Sequence, residues 1–435
     1  MNPRIKPIVA AIATVTACST AQAGALEDRI QSLEQELQAL KAEVAANKGD
    51  ITSNQASIEE ARPTRAGTKF GYGGFIQLDA NASSYSDGQP GFYAAEDLLV
   101  ASTIPVEPDG GDSDSYSSTN IHAKSSRFYF TTETDTAAGK VSSRIEMDFI
   151  LSGDDNDERI SNSWNSRIRH AFLKWDYAED SSILAGQSWS TFFNVGALPD
   201  LLDFVGPVGT LFNRQPQIRW TMGGLQLSVE NAVTRLNGVD WDDTHEGIPD
   251  IVARYNGQSG DLSWSVAGIV RELTFEERDT SRAVELASDE EFGYGLSLAG
   301  KWMLGKDDLR FMVNYGSALG RYLGLNSYND GYVDAAGDIE TIDQWGAVLA
   351  YRHFWTPQWR STFSLSASGA DNPDSGDFAG ADDLAKAYQS IHANLNYLPA
   401  PRLSLGAELI YANKELEDGR EGDLNRLQFA VKYAF

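Results

Sequence analysis

From Thr68 to Phe435 apolar and polar residues alternate in short runs, the period of strands with one apolar and one polar face. Val141, Ile145, Met147 and Phe149 share one face, and Ser142, Arg144, Glu146 and Asp148 lie between them. One such segment fits a soluble sandwich equally well, so the connections decide. Short turns fall near 137 to 140, 177 to 180, 223 to 224, 257 to 260, 303 to 307, 355 to 358 and 398 to 401. Long polar connections occupy roughly 82 to 123, 151 to 165, 190 to 214, 232 to 249, 272 to 290, 317 to 341, 369 to 384 and 413 to 422. Seven turns and eight loops join sixteen strands. Short turns on one side, long loops on the other and an even strand number predict an all-β membrane barrel, a 16-stranded antiparallel transmembrane β-barrel over 68 to 435. A spanning helix is excluded, because no run of 18 apolar residues follows the N-terminal leader. A closed barrel is the other structure that satisfies every backbone group in lipid.

Trp175, Trp220, Trp264, Trp302, Trp355 and Trp359 flank the short turns, as an aromatic girdle at one membrane interface would. The last strand alternates Leu427, Phe429, Val431, Tyr433 and Phe435 with Arg426, Gln428, Ala430 and Lys432. Phe429, Tyr433 and the terminal Phe435 resemble the C-terminal signal that the barrel-assembly machinery reads.

The N-terminus carries Arg4 and Lys6, an apolar run from Ile8 to about Ala17, and Ala21-Gln22-Ala23, which has the form of a signal-peptidase site. Residues 1 to 23 are therefore read as a signal peptide. The alternative is a lipoprotein box ending at Cys18, the single cysteine of the chain. Cleavage after Ala23 leaves no thiol, hence no disulfide, redox chemistry or Cys-based metal site. The chain has 62 acids against 35 bases, a formal charge of -27 that becomes -29 when Arg4 and Lys6 leave with the signal. Nucleic acid is excluded as a partner on that charge.

Residues 24 to 60 carry heptads. Ile30, Leu37, Val44, Ile51 and Ile58 fall at a, and Leu26, Leu33, Leu40, Asn47 and Asn54 at d. This predicts an α-helical coiled coil on the periplasmic side, ended by a linker over 61 to 67 that contains Pro63 and Gly67. The two asparagine layers resemble those of trimeric adhesin stalks and favour a homotrimer. A short amphipathic helix packed on its own barrel is the alternative.

A sixteen-stranded barrel leaves an aqueous channel. The third long connection is too apolar for an outer loop: Phe192, Phe193, Leu198, Leu201, Leu202 and Phe204 need cover. They are expected to fold into the barrel as a constriction loop with Asp200, Asp203, Gly206 and Pro207; a cap at the trimer centre is the alternative. Alternation points Arg127, Arg144, Arg219 and Arg254 into the lumen, with Glu146 and Asp148. Arg167 and Arg169 join them if Ile168 and Phe172 face lipid, against which His170 and Lys174 count. A charge on the lipid face would cost roughly 2 to 4 kcal/mol near the midplane. Each arginine singly fits a salt bridge to Glu133, Glu146 or Glu230 as well as a solute contact; together, rings of arginine select anions. The acids cluster in loops, at Asp154, Asp155, Asp157 and Glu158, at Asp240, Asp242, Asp243 and Glu246, and at Asp371, Asp374 and Asp377. Such loops would face solvent and lipopolysaccharide, and would bind divalent cations among its phosphates.

The heptad-bearing N-terminus, the first strand Gly73-Gly74-Phe75-Ile76-Gln77-Leu78-Asp79, Gly186-Gln187-x-Trp189-Ser190, Asp203-x-x-Gly206-Pro207 and Arg214-Gln215 resemble the DcaP family of trimeric porins over nearly the whole mature chain. The resemblance implies a trimeric channel in the bacterial outer membrane that takes small anionic solutes such as dicarboxylates and aromatic acids. No cofactor or metal motif is visible. An outer-membrane hydrolase finds little support, since the five histidines show no HExxH spacing and no Gly-x-Ser-x-Gly elbow occurs. An adhesin is disfavoured because one chain encodes all sixteen strands. A non-selective or cation-preferring general porin with a tethering coiled coil is the remaining alternative.

Overall fold

The computed structural model describes residues 64–65, 67–111, 113–151, 161–278 and 285–435. The expected signal peptide, the expected coiled-coil core from Ile30 to Ile58, and the acids from Asp154 to Glu158 lie outside the described residues.

The described barrel begins with β1 (Thr68–Tyr85) and with β2, formed by the runs Tyr116–His122 and Arg127–Thr136, which both pair with β1. It continues with β3 (Gly139–Asp148), β4 (Arg167–Ala178), β5 (Ser181–Trp189), β6 (Arg214–Met222), β7 (Leu225–Glu230) and β8 (Asp250–Ser259). The second half holds β9 (Leu262–Arg278), β10 (Glu285–Leu304), β11 (Asp307–Ser317) and β12 (Asp343–Phe354). It ends with β13 (Trp359–Asp371), β14 (Ala385–Ala400), β15 (Leu403–Leu416) and β16 (Glu421–Ala434). Each strand pairs antiparallel with its neighbours in sequence, and β16 returns to β1 from Phe75↔Ala434 to Tyr85↔Leu424. Sixteen antiparallel strands thus close a ring and leave no edge.

The two faces of this ring are inverted relative to a soluble protein. Ile218, Leu227, Val229, Ile251, Val270, Leu296, Val313, Leu349, Ile391 and Leu409 are exposed, while Ser265, Ser364, Ser368, Ser390, Asn394 and Gln428 are buried. Leaving such apolar side chains in water forfeits about 1.5 to 3 kcal/mol each. Hydrocarbon is the solvent in which that face costs nothing, so the strands span a membrane.

Two predicted long loops are instead mostly extended strand among the described residues. The connection expected at 272 to 290 is strand to Arg278 and again from Glu285, and the one expected at 413 to 422 narrows to four residues after Leu416. The ladder still runs through these polar ends, where Glu415 stands opposite Glu421 and Asn413 opposite Asp423. A β-bulge was also missed. Pairing passes from Glu146↔His170 to Met147↔Ile168, so Arg169 is the extra residue. The bulge turns both Arg169 and His170 inward and keeps Ile168 and Leu173 outward. The conflict raised by His170 and Lys174 disappears: Lys174 pairs with Asp176 at 2.6 Å, and Phe172 lines an internal cavity.

The lumen is partly filled by three connections. Leu98, Leu99 and Ile104 from 86–115, Phe192, Phe193, Val205, Val208 and Leu211 from 190–213, and Tyr322 and Leu323 from 318–342 form one buried apolar cluster with Met312 and Val348 of the wall. Residue 209 shows how closely the middle connection lies on the wall. A Cβ at Gly209 would stand 2.3 Å from the Ala367 carbonyl oxygen and 2.7 Å from Ala347 backbone atoms.

Candidate functional site

The loop 190–213 crosses the lumen and is fastened to strand after strand of the far wall. Arg254 donates to the Phe193 carbonyl at 2.7 Å, Asn194 to Ser265 Oγ at 2.7 Å, and Arg310 to the Leu198 carbonyl. The Leu202 amide donates to Glu408 at 2.6 Å, and the Val208 and Gly209 amides donate to Ser390 and Ser366 at 3.2 and 2.8 Å. Asp203 is buried and staples this loop to the first one, accepting from the Leu99, Val205 and Gly206 amides at 2.8, 3.0 and 2.9 Å. Desolvation pushes its carboxyl up. Gly206 and Pro207 are buried next in the chain, and buried Phe193 packs on Trp189 and Phe212, so these serve the loop's packing.

Across from the loop stands a wall of arginine on β2, β3, β4 and β6. Arg169 holds Glu146 and Asp148 at 2.9 Å each, Arg144 reaches Glu146 at 2.5 Å, and Arg167 reaches Asp148 at 2.7 Å. Arg127 lies 3.5 Å from Glu146 and makes no hydrogen bond through its Nε among the described residues. Three of these guanidiniums converge on the loop's Phe204 ring, with Arg169, Arg167 and Arg127 at 5.1, 5.4 and 5.9 Å from its centroid. Arg214 and Arg169 flank Trp189 at 4.7 and 5.8 Å.

Two adjoining cavities separate wall and loop, sharing Arg127, Leu198 and Phe204. The larger, about 450 Å³, is lined by Arg144, Glu146, Arg169, His170, Trp189 and Phe212 among others. The smaller, about 220 Å³, adds Gln77, Asp200, Arg360, Asn396, Ser404 and Lys432. Five cationic side chains (Arg127, Arg144, Arg169, Arg360 and Lys432) thus face three carboxylates (Glu146, Asp200 and Asp203), so the lining is positive by two charges.

Arg219 and Arg254 point inward but line neither cavity: they hold backbone at the end of β5 and in the loop after it, at the Trp189 and Phe193 carbonyls. Glu230 is likewise structural, accepting from the Thr191 amide and from Gln215 at 2.7 Å each. Glu133 pairs with Lys140 at 3.6 Å, away from the arginine wall. A second group escaped the sequence reading. Arg360 Nε donates to Asp200 at 2.7 Å, Arg352 to Asp200 at 3.2 Å and to Asp308 at 2.5 Å, and Arg310 to Asp308 at 2.7 Å. Burial pushes the Asp200 carboxyl up, and the Arg360 and Arg352 guanidiniums outweigh it, holding it below its ordinary range. The signal was present, since Arg310 alternates with Leu309 and Phe311 and Arg352 with Tyr351 and His353.

The model of the DcaP outer membrane protein family matches residues 14–435. Among solved structures, the outer membrane channel DcaP of Acinetobacter baumannii is similar at 23% identity, with a TM-score of 0.69, over 86% of this chain and 99% of that one. The outer-membrane OmpT of Vibrio cholerae is similar in fold at 10% identity and a TM-score of 0.50, over 86% of this chain and 100% of that one. No curated protein sequence matches. With a family model spanning nearly the whole chain, and a sixteen-stranded barrel narrowed by its third loop, the protein belongs to the DcaP outer membrane protein family of outer-membrane channels.

Proposed function

We propose that this outer-membrane channel passes small hydrophilic solutes by diffusion and favours anions, dicarboxylates and aromatic acids being the class its constriction fits. The observation that carries the reading is Arg127, which lines both cavities, is less than fully committed to its neighbours, and sits in a lining with two excess positive charges. A guanidinium binds carboxylate bidentately, and Phe204, Trp189 and Phe212 offer apolar faces beside it for an aromatic ring. The net acidity of the chain does not oppose this. Acids such as Asp240, Asp242 and Asp243 are outside the constriction, where solvent and salt screen them.

A homotrimer forms the second part of the reading, with the coiled coil of residues 24 to 60 in the periplasm after removal of residues 1 to 23. Support comes from the outward face. On β1 to β3 it carries Ala80, Ala82, Ser84, Ser117, Thr119, Thr132 and Ser143 interleaved with Ile76, Leu78, Ile121, Phe130 and Ile145, and Thr132 and Ser143 are hydrogen-bonded at 2.6 Å. The corresponding face of β7 to β11 carries Leu227, Val229, Ile251, Val266, Leu298 and Val313. Small and hydroxyl side chains let another backbone approach closely, which suits a second copy better than lipid. Lipid and lipopolysaccharide cover the rest, and the barrel-assembly machinery is the partner that the Phe429, Tyr433 and Phe435 ending suits.

The test is the reversal potential of the purified protein across a KCl gradient. The wild type is expected to favour chloride, and Arg127→Ala or Arg169→Ala to lower the chloride-to-potassium ratio roughly 4-fold at 0.1 M salt. A wild-type pore that favours potassium would refute the anion reading and leave the general porin.

A further inference from the structure

The smaller cavity contains a carboxylate of the protein's own in the position a solute carboxylate would take. Asp200 accepts from Arg360 Nε at 2.7 Å and from Arg352 Nη1 at 3.2 Å. Lys432 lines the same cavity with its Nζ 3.9 Å above the Phe75 ring. No carboxylate within 4.0 Å of Lys432 occurs among the described residues, and none but Asp200 for Arg360.

The backbone around Asp200 is held independently of its side chain. Its carbonyl accepts from Asn394 at 2.9 Å, the next-but-one amide, of Leu202, donates to Glu408 at 2.6 Å, and the Leu198 carbonyl accepts from Arg310. The Asp200 side chain is 27% exposed to the cavity. Its carboxylate can therefore leave the guanidiniums by side-chain rotation while the loop stays docked.

Resting on the anion reading above, we infer that Asp200 is an exchangeable counter-ion: it occupies a second anion station made by Arg360, Arg352 and Lys432, and a passing solute carboxylate displaces it. Arg127 borders both cavities and hands the solute from the Arg144 and Arg169 wall to this station. At rest the Asp200 carboxylate offsets one of the station's three positive charges. Conduction requires a site attractive enough to enter and weak enough to leave, and an internal competitor supplies the second condition. Asp200 thus sets how long an anion stays, where the arginine wall sets whether it enters.

Asp200→Asn keeps the side-chain volume and removes the competitor. In planar bilayers at 0.1 M salt it is expected to raise the chloride-to-potassium permeability ratio roughly 4-fold. With succinate as the probe, the current should saturate at a concentration at least several-fold lower than in the wild type. Arg360→Gln added to Asp200→Asn should abolish that tighter saturation, and Asp200→Glu should restore wild-type behaviour. A role for Asp200 as a mere loop tether predicts something else, noisy and enlarged conductance in KCl that Arg360→Gln alone reproduces, and that result would overturn the inference. So would an Asp200→Asn pore with unchanged ratio and unchanged succinate saturation, while the wild type favours chloride. A potassium-selective wild type would instead strike at the anion reading itself. Should Asp200→Asn fail to assemble, the succinate saturation of Arg360→Gln decides: the inference expects weaker saturation than wild type, and no change overturns it.

Discussion

Gly209 is where the constriction loop can be pried from its wall by a single methyl group. A Cβ there would lie 2.3 Å from the Ala367 carbonyl oxygen and 2.7 Å from both the nitrogen and oxygen of Ala347, all backbone of the β12 and β13 ladder. No side-chain rotation relieves these contacts, so the loop must retreat by about 1 Å to reach ordinary van der Waals distance. Retreat stretches the bonds from the Gly209 amide to Ser366 at 2.8 Å, from the Val208 amide to Ser390 at 3.2 Å, and from Asn314 to the Gly209 carbonyl at 3.2 Å. At a net ~1 kcal/mol each, Gly209→Ala weakens docking by about 3 kcal/mol, a factor on the order of 100 in the docked population. The loop would move toward the arginine wall, so single-channel conductance is expected to fall and become noisier. Amides 205 to 212 should lose about 100-fold of their hydrogen-exchange protection, while the barrel, whose ladder is untouched, keeps its melting temperature. Quiet wild-type conductance together with wild-type protection in the variant would refute the packing of this loop on β12 and β13.

Arg271 is fully buried between Asp330 at 2.8 Å and Asp250 at 3.6 Å, with the Tyr322 hydroxyl donating to Asp250 at 2.5 Å. Arg271→Met leaves buried Asp330 with the Arg321 amide and Asp250 with Arg321 at 3.7 Å and the Tyr322 hydroxyl, and calorimetry should register a loss of about 3 kcal/mol, with the 318–342 connection the first to open. The lowered pKa of Asp200 makes its pairing a stabilising term above the ordinary carboxylate pKa of about 3.9, lost only as pH falls through the lowered value. The carboxylate should therefore stay ionised from pH 7 to about 4, and below that the chloride-to-potassium ratio should rise as the competitor is protonated, with exchange protection of residues 198 to 202 retained; a rise already at pH 6 would contradict the pairing. The mature protein is expected to begin at Gly24 by intact mass, and deletion of residues 26 to 60 to leave a folded trimer that assembles more slowly. A monomer for the full mature chain in native mass spectrometry would refute the three-fold assembly.

The strand count was legible because two physical demands coincide along each segment: lipid on one face, water on the other, and a turn at a fixed depth. Where those demands lapse, the reading lapsed with them. β9 and β10 run for 17 and 20 residues, and their outer ends carry Glu276, Glu277, Asp289, Glu290 and Glu291. Charged side chains on both faces erase the alternation, although the backbone ladder continues. The bulge at Arg169 was invisible for a different reason. It is a mismatch between two strands, recorded as Glu146↔His170 beside Met147↔Ile168, and neither strand alone contains it. A neighbouring close approach is equally cross-strand: Gly186 of β5, paired with Phe172, has φ +127, and a Cβ there would lie 2.2 Å from the Ala171 carbonyl oxygen.

The same division separates what could be read about the site from what could not. That an arginine points inward follows from its neighbours in sequence, and it holds for Arg127, Arg144, Arg167, Arg169, Arg219 and Arg254 alike, once the bulge is allowed for. Whether an inward arginine meets solute depends on where the loop crosses, and the crossing is decided by contacts between residues far apart in the chain. Gly209 lies flat against Gly346, whose own Cβ would stand 2.6 Å from the Gly209 carbonyl. That close approach pins the returning limb of the loop to the far wall. The end of β5 and the outgoing limb take the Arg219, Arg254 and Arg310 guanidiniums for their own carbonyls, at Trp189, Phe193 and Leu198. Between the limbs, Phe204 is turned to the opposite wall, and the arginines it meets there keep a passage at their side. An identical set of inward charges with the loop shifted by one strand would expose Arg219 and Arg254 and silence Arg127, so the path of the loop, rather than the census of charges, selects which of them a solute meets.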